Sequence, residues 1–217
     1  MRTIAIIGNS PDTYPDLQIY KDDVNVWIGA DRGSIELIRQ EMPVDYAIGD
    51  FDSTTEEERV IIKGYCTEFE EYPSEKNETD LELALLKAFS LQPQRILLFG
   101  VTGGRLDHEL VNIQLLYRIV CNNIKGIIID KNNILELTMP GIHKISLNAY
   151  YPTVSFIPYT KIVKGLSLTG FYYPLTKQNI TWGSTLCISN KLIGKNGTFS
   201  YEEGILLLVK SRDTIQK

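Results

Sequence analysis

The stretch Val24-Asn25-Val26-Trp27-Ile28-Gly29-Ala30-Asp31-Arg32-Gly33, running into the helix-period segment 34–40, decides the fold. It joins an apolar run, a tight acidic turn and an amphipathic segment into one strand, turn and helix. The same step recurs on either side of it. Residues 3–7, 24–28, 46–48, 67–69, 95–99 and 126–129 are short apolar runs of strand length. Residues 34–40, 56–63, 81–89 and 108–120 carry the helical period between them. This alternation predicts an α/β domain over residues 1–131, with a mostly parallel sheet flanked by helices.

Beyond Asn132 the texture changes. Short alternating runs at 153–157, 166–169, 185–188 and 205–209 are separated by Gly, Pro and Asn turns. They predict an all-β antiparallel sandwich domain over residues 132–217. No repeat, low-complexity tract or Pro/Ser-rich linker intervenes, so the two domains are expected to be joined closely.

A chain of 217 residues with 43% hydrophobic and 23% charged residues can bury a substantial core. Its formal charge of −5 argues against general affinity for nucleic acid or anionic membrane, both of which need a dense positive surface. A phosphate ligand must therefore be handled locally, with a metal. Cys66, Cys121 and Cys187 lie far apart without a Cys-x-x-Cys pair, which indicates neither a disulfide framework nor a zinc ribbon. A reducing cytoplasm is the expected location, and the apolar run at 4–7 is too brief for a signal segment or membrane span.

In open α/β sheets, ligands bind beyond the carboxyl ends of the strands. The residues there are acidic: Asp31 after one strand, and Gly49-Asp50-Phe51-Asp52-Ser53 after the next. In extended backbone Asp50 and Asp52 point to one side, where hard oxygen ligands could share Mg²⁺. A second reading makes Asp52 or Ser53 only a cap for the acidic helix that starts near Thr55. Thr79 and Glu82 have capping-box spacing, which fixes Asp80 in the first turn of the next helix; Asp80 reads either as a ligand or as a dipole-favoured acid.

Gly100-Val101-Thr102-Gly103-Gly104-Arg105-Leu106-Asp107-His108 forms a glycine-rich turn between a strand and a helix. Glycines let backbone amides approach a phosphate, Arg105 offers a planar fork to its oxygens, and His108 shares a helix face with Asn112. No Walker-type P-loop, dinucleotide fingerprint or serine-hydrolase elbow is present. With His108 and His143 as the sole histidines, a histidine-rich metal site is excluded.

In order, the stretches 49–53, Thr79-Asp80-Leu81-Glu82-Leu83-Ala84-Leu85 and Gly103-Gly104-Arg105-Leu106-Asp107-His108 resemble the thiamine pyrophosphokinase family. Gly170-Phe171-Tyr172-Tyr173-Pro174-Leu175 and Ile188-Ser189-Asn190 extend the likeness into the second half. The resemblance implies transfer of the pyrophosphoryl group of ATP to the thiamine hydroxyl, giving thiamine diphosphate and AMP. It further implies a homodimer with active sites between subunits. Asp50, Asp52 and Asp80 would hold Mg²⁺ and, with Asp107, form the catalytic set. Asp31, Thr79, Arg105, His108 and Asn112 would bind ATP, and Tyr173, Ser189 and Asn190 would line the thiamine pocket. Asp80 and Asp107 both stand as candidates for a general base.

The sequence departs from the family pattern at Asn77, where Asp is frequent, and at Arg32, where a small residue is frequent. Two other readings remain open on the residues alone. A Mg²⁺-dependent phosphohydrolase would release phosphate without an acceptor, and a silent binding module would release no AMP.

Overall fold

Every residue of β1 (Thr3–Ile7) and β2 (Val26–Ala30) is buried, which is why both read as unbroken apolar runs. In the computed structural model, which describes residues 1–10 and 13–213, the chain divides into two units, Met1–Lys131 and Asn132–Lys217. In the first unit these strands are followed by β3 (Tyr46–Gly49), β4 (Glu68–Glu71), β5 (Arg95–Phe99) and β6 (Lys125–Ile129). They pair in parallel in the order β6-β5-β1-β2-β3-β4. The edge strand β4 carries three glutamates, whose charge blunts an otherwise open edge.

Helices α1 (Gly33–Arg39), α2 (Glu56–Tyr65), α3 (Asp80–Ser90) and α4 (Leu106–Cys121) occupy the connections. A capping box between Thr55 and Glu58 starts α2. Thr79 caps α3 by accepting the Glu82 amide at 3.2 Å. The expected reciprocal bond is not made, because the Glu82 carboxylate turns instead to Arg118. Leu81, Ala84, Leu85 and Ala88 bury one face of α3 and so hold its N-terminus at the sheet's carboxyl edge. The second strand begins at Val26 rather than 24, since the Val24 amide is spent on Tyr20 O in a preceding turn.

The second unit contains two antiparallel groups. One is ordered β12-β9-β14-β7, from β7 (Asn133–Thr138), β9 (Thr153–Pro158), β12 (Asn190–Lys191) and β14 (Leu206–Ser211). The other is ordered β11-β10-β13-β8, from β8 (Gly141–Ser146), β10 (Ile162–Thr169), β11 (Leu175–Thr181) and β13 (Asn196–Tyr201). Val154, Phe156, Leu206 and Leu208 from the first group meet Ile145, Val163, Leu168 and Phe199 from the second in one core. This is a sandwich.

Residues 185–188, expected as a strand, are not one. Gly183 and Ser189 both take left-handed backbone around them, and the Ile188 amide turns back to Thr185 O. The alternation that suggested a strand comes from Cys187, which is buried in the sandwich core between exposed Leu186 and Ile188.

Candidate active site

The acidic centre is assembled where β2 and β3 end. Asp31 takes a left-handed φ of 50°, and its amide donates to Ile48 O at 2.7 Å. Gly49 permits this crossing, because a Cβ there would stand 3.1 Å from the Asp31 backbone. Residues 50–52 are not extended as expected: Phe51 has φ of 57°, and its ring is buried and stacked on Phe69 at 4.4 Å. That anchor forces a turn, which the Asp52 amide closes by donating to Asp50 Oδ1 at 3.1 Å. The turn still brings the acids together. One carboxylate oxygen from each of Asp31, Asp50 and Asp52 lies within 4.8 Å of the others.

Asp80 enters differently. Lys76 Nζ lies 2.7 Å from Asp50 Oδ2 and 3.0 Å from Asp80 Oδ1, the latter an ion pair whose angle is off the hydrogen-bonding direction. The converging trio therefore contains Asp31, while Asp80 faces the same centre through a lysine.

Electrostatics follow from burial. Asp31 is 8% exposed, and burial pushes its carboxyl above the ordinary range; hydrogen bonds from Ser53 and the Arg32 amide oppose this, and the charges of Asp80 and Asp50 add to it. Burial likewise raises Asp80 against the pull of Lys76. For Asp50 burial also acts upward, but Lys76 and the Asp52 amide outweigh it and hold the carboxyl low. One oxygen of Asp31, Oδ1, is buried without a hydrogen-bond partner. Clustered carboxylates with an unsatisfied buried oxygen form a donor set that suits a hard divalent cation.

Asp31, Asp52, Ser53, Thr79 and Asp80 line a cleft of about 590 Å³ together with Gly104 and Arg105 of the glycine-rich turn and His108 and Asn112 of α4. Gly100 has φ of 62°, and the Tyr14 ring fills the place a Cβ would take. Asn112 does not point its amide into open space: Nδ2 donates to Val101 O at 2.8 Å and pins the turn. Thr102 donates to Asp130 at 2.8 Å beneath it, and the Gly103 amide donates to Glu109 at 3.1 Å. Arg105 and Asp107 form a two-point pair, with Nε 3.2 Å from Oδ1 and Nη2 2.6 Å from Oδ2. Both stand exposed at the rim; the pairing holds the Asp107 carboxyl low.

In the second unit Asn190 is buried and held by three hydrogen bonds through its side chain. Its Oδ1 accepts the Tyr173 and Lys191 amides at 3.0 and 2.9 Å, and Nδ2 donates to Tyr173 O at 2.8 Å. Asn190 therefore places Tyr173, whose ring is exposed and meets Tyr172 edge-on at 4.9 Å. Ser189 takes φ of 59°, with its amide fixed by Ser155 Oγ at 3.0 Å, so its side chain stands free of the core.

Residues 17–128 match the family described as thiamin pyrophosphokinase, catalytic domain, and residues 142–206 match the thiamin pyrophosphokinase vitamin B1 binding domain. A thiamine pyrophosphokinase of Bacillus subtilis is 46% identical over 214 residues, covering 98% of this chain and all of its own. The chain belongs to the thiamine pyrophosphokinase family. A crystal structure of the enzyme from Bacillus subtilis superposes with a TM-score of 0.91 at 44% identity, covering 98% of this chain and 100% of its own. One from Geobacillus thermodenitrificans gives 0.88 at 40%, covering 98% of each.

Within this thiamine pyrophosphokinase fold, the sequence reading missed Lys76 and Ser53. Lys76 gave no helical-spacing signal, since it lies in the irregular segment before α3, although it comes within 3.0 Å of Asp80. Ser53 Oγ donates to Asp31 Oδ2 from a different loop, a contact that no local spacing reveals.

Proposed function

We propose that the cleft between the acidic loops and the glycine-rich turn binds Mg²⁺ and ATP, and that thiamine attacks there. The observation that carries this reading is the convergence of Asp31, Asp50 and Asp52, with a buried Asp31 oxygen lacking a partner. These three residues would hold the cation. When bound, it would neutralise charge on the polyphosphate oxygens, where positioning and electrostatics dominate this type of transfer.

The reaction joins the hydroxyl oxygen of thiamine to the β-phosphorus of ATP. The bond to the oxygen bridging the α and β phosphorus atoms breaks, and AMP departs with its electron pair. Arg105, held by Asp107 through Nε and Nη2, would meet phosphate oxygens at the cleft mouth with its remaining N–H groups. Asp80 is the better acceptor for the hydroxyl proton, because burial raises its basicity, whereas Asp107 is held low by Arg105. Thr79 and Asn112 support this site through the helix cap and the turn they hold, and His108 lines its wall. In the second unit, exposed Tyr173 would face the cationic thiazolium ring, with Ser189 beside it and Asn190 behind.

Asp50→Asn and Asp52→Asn should each lower AMP formation from Mg²⁺, ATP and thiamine by orders of magnitude with thermal unfolding nearly unchanged. Full activity in both would remove these residues from the chemistry. AMP released without thiamine would favour a hydrolase.

The exposed apolar residues Leu106, Leu110 and Val111 on α4 support a homodimer with active sites shared between subunits. Mixing inactive Asp50→Asn chains with Tyr173→Ala chains, which are weakly active at low thiamine, should raise low-thiamine activity above the sum of the two, and no gain after subunit exchange would refute sharing. No helix among the described residues is long and apolar enough to cross a membrane, and the three cysteines are free, which supports a reducing cytoplasmic setting.

A further inference from the structure

Lys76 is the cation that the acidic centre already carries. Its side chain is 12% exposed, and it bridges Asp50, 9% exposed, to Asp80, 23% exposed. The neighbouring arginines are committed elsewhere: Arg32 to Glu58, Arg59 to Glu71 and the Asp50 carbonyl, Arg105 to Asp107. Two carboxylates this sheltered need a positive charge between them, because desolvating an unpaired anion is costly. An ammonium is compact enough to lie within ion-pair distance of both at once.

We propose that Lys76 occupies the place of a second metal ion and so fixes the centre at one divalent ion per chain. The inference rests on reading Asp31, Asp50 and Asp52 as the site of the first ion. Each of the three gives one oxygen to that trio, while Lys76 holds Asp50 Oδ2 and lies 3.0 Å from Asp80 Oδ1. Asn77, next in sequence, is exposed and neutral, so it adds no carboxylate that would recruit a further ion. Lys76 is thus a positioning residue: it keeps Asp80 oriented at the cleft without drawing in a metal.

The test is a titration of the full chain with Mn²⁺ alone, without nucleotide, followed by electron paramagnetic resonance and calorimetry. The native chain should bind one Mn²⁺. Lys76→Met, which keeps the stem and removes the charge, should bind two and show the broadened spectrum of a close ion pair. Lys76→Gln provides the same reading if the methionine variant does not fold. Adding Asp80→Asn to Lys76→Met should return the count to one. Two ions in the native chain, one ion in folded Lys76→Met or Lys76→Gln, or two ions persisting in the double variant would each overturn the proposal. No ion in the native chain would take down the metal reading of the cleft along with it.

Discussion

Asp31→Asn should make the metal-free protein more stable while abolishing its activity. Asp31 is buried, its Oδ1 has no hydrogen-bond partner, and its carboxyl is pushed above the ordinary 3.8, chiefly by burial. An acid whose folded value is raised binds its proton more tightly when folded. The native chain therefore loses stability as pH climbs from the ordinary value through the folded one, and the penalty is complete above both. Asparagine removes the charge, tolerates the left-handed φ of 50° and keeps an oxygen for the Ser53 hydroxyl. The amide leaves the Oδ1 position without a partner, so the gain comes from removing the charge, about 1.4 kcal/mol for each tenfold weakening of the folded acid. That corresponds to a Tm gain of about 2–4 °C per kcal/mol for a chain of this size. Thermal scans in EDTA from pH 4 to 8 should show the gain at neutral pH and its disappearance toward the ordinary carboxylate value. Added Mn²⁺ should raise the Tm of the native chain but not of the variant. A variant that is no more stable in EDTA, or a difference that does not change with pH, would refute the electrostatic account.

Other outcomes follow from the second unit. Asn190→Ala strips the hydrogen bonds that hold residue 173, so the KM for thiamine should rise more than kcat falls in steady-state assays, with KM for ATP unchanged. Tyr173→Ala should raise KM for thiamine by about 2- to 30-fold, the equivalent of about 0.5–2 kcal/mol of cation–π attraction, whereas Tyr173→Phe should keep most of the native value. Equal effects of the alanine and phenylalanine variants would assign Tyr173 a role through its hydroxyl instead.

What the sequence discloses, and what it hides, divides along physical lines. Central strands β1 and β5 are legible to the residue, because a strand buried on both faces is apolar along all but its first residue here. The helix cap at Thr79 is legible because it is local. The strand at 185–188 is misread because one buried cysteine flanked by exposed apolar residues imitates alternation while the backbone turns. At the acidic centre, proximity after the strands exposes Asp31, Asp50, Asp52 and Asp80, but not their grouping. The grouping depends on Phe51, whose buried ring converts an extended segment into a turn, and on Gly49, which lets Asp31 cross against it. Apolar packing thus decides which carboxylates meet. Lys76 then decides what the remaining one meets, since an ammonium already ion-pairs with Asp50 and Asp80, whereas Asp31 Oδ1 is buried with no hydrogen-bond partner.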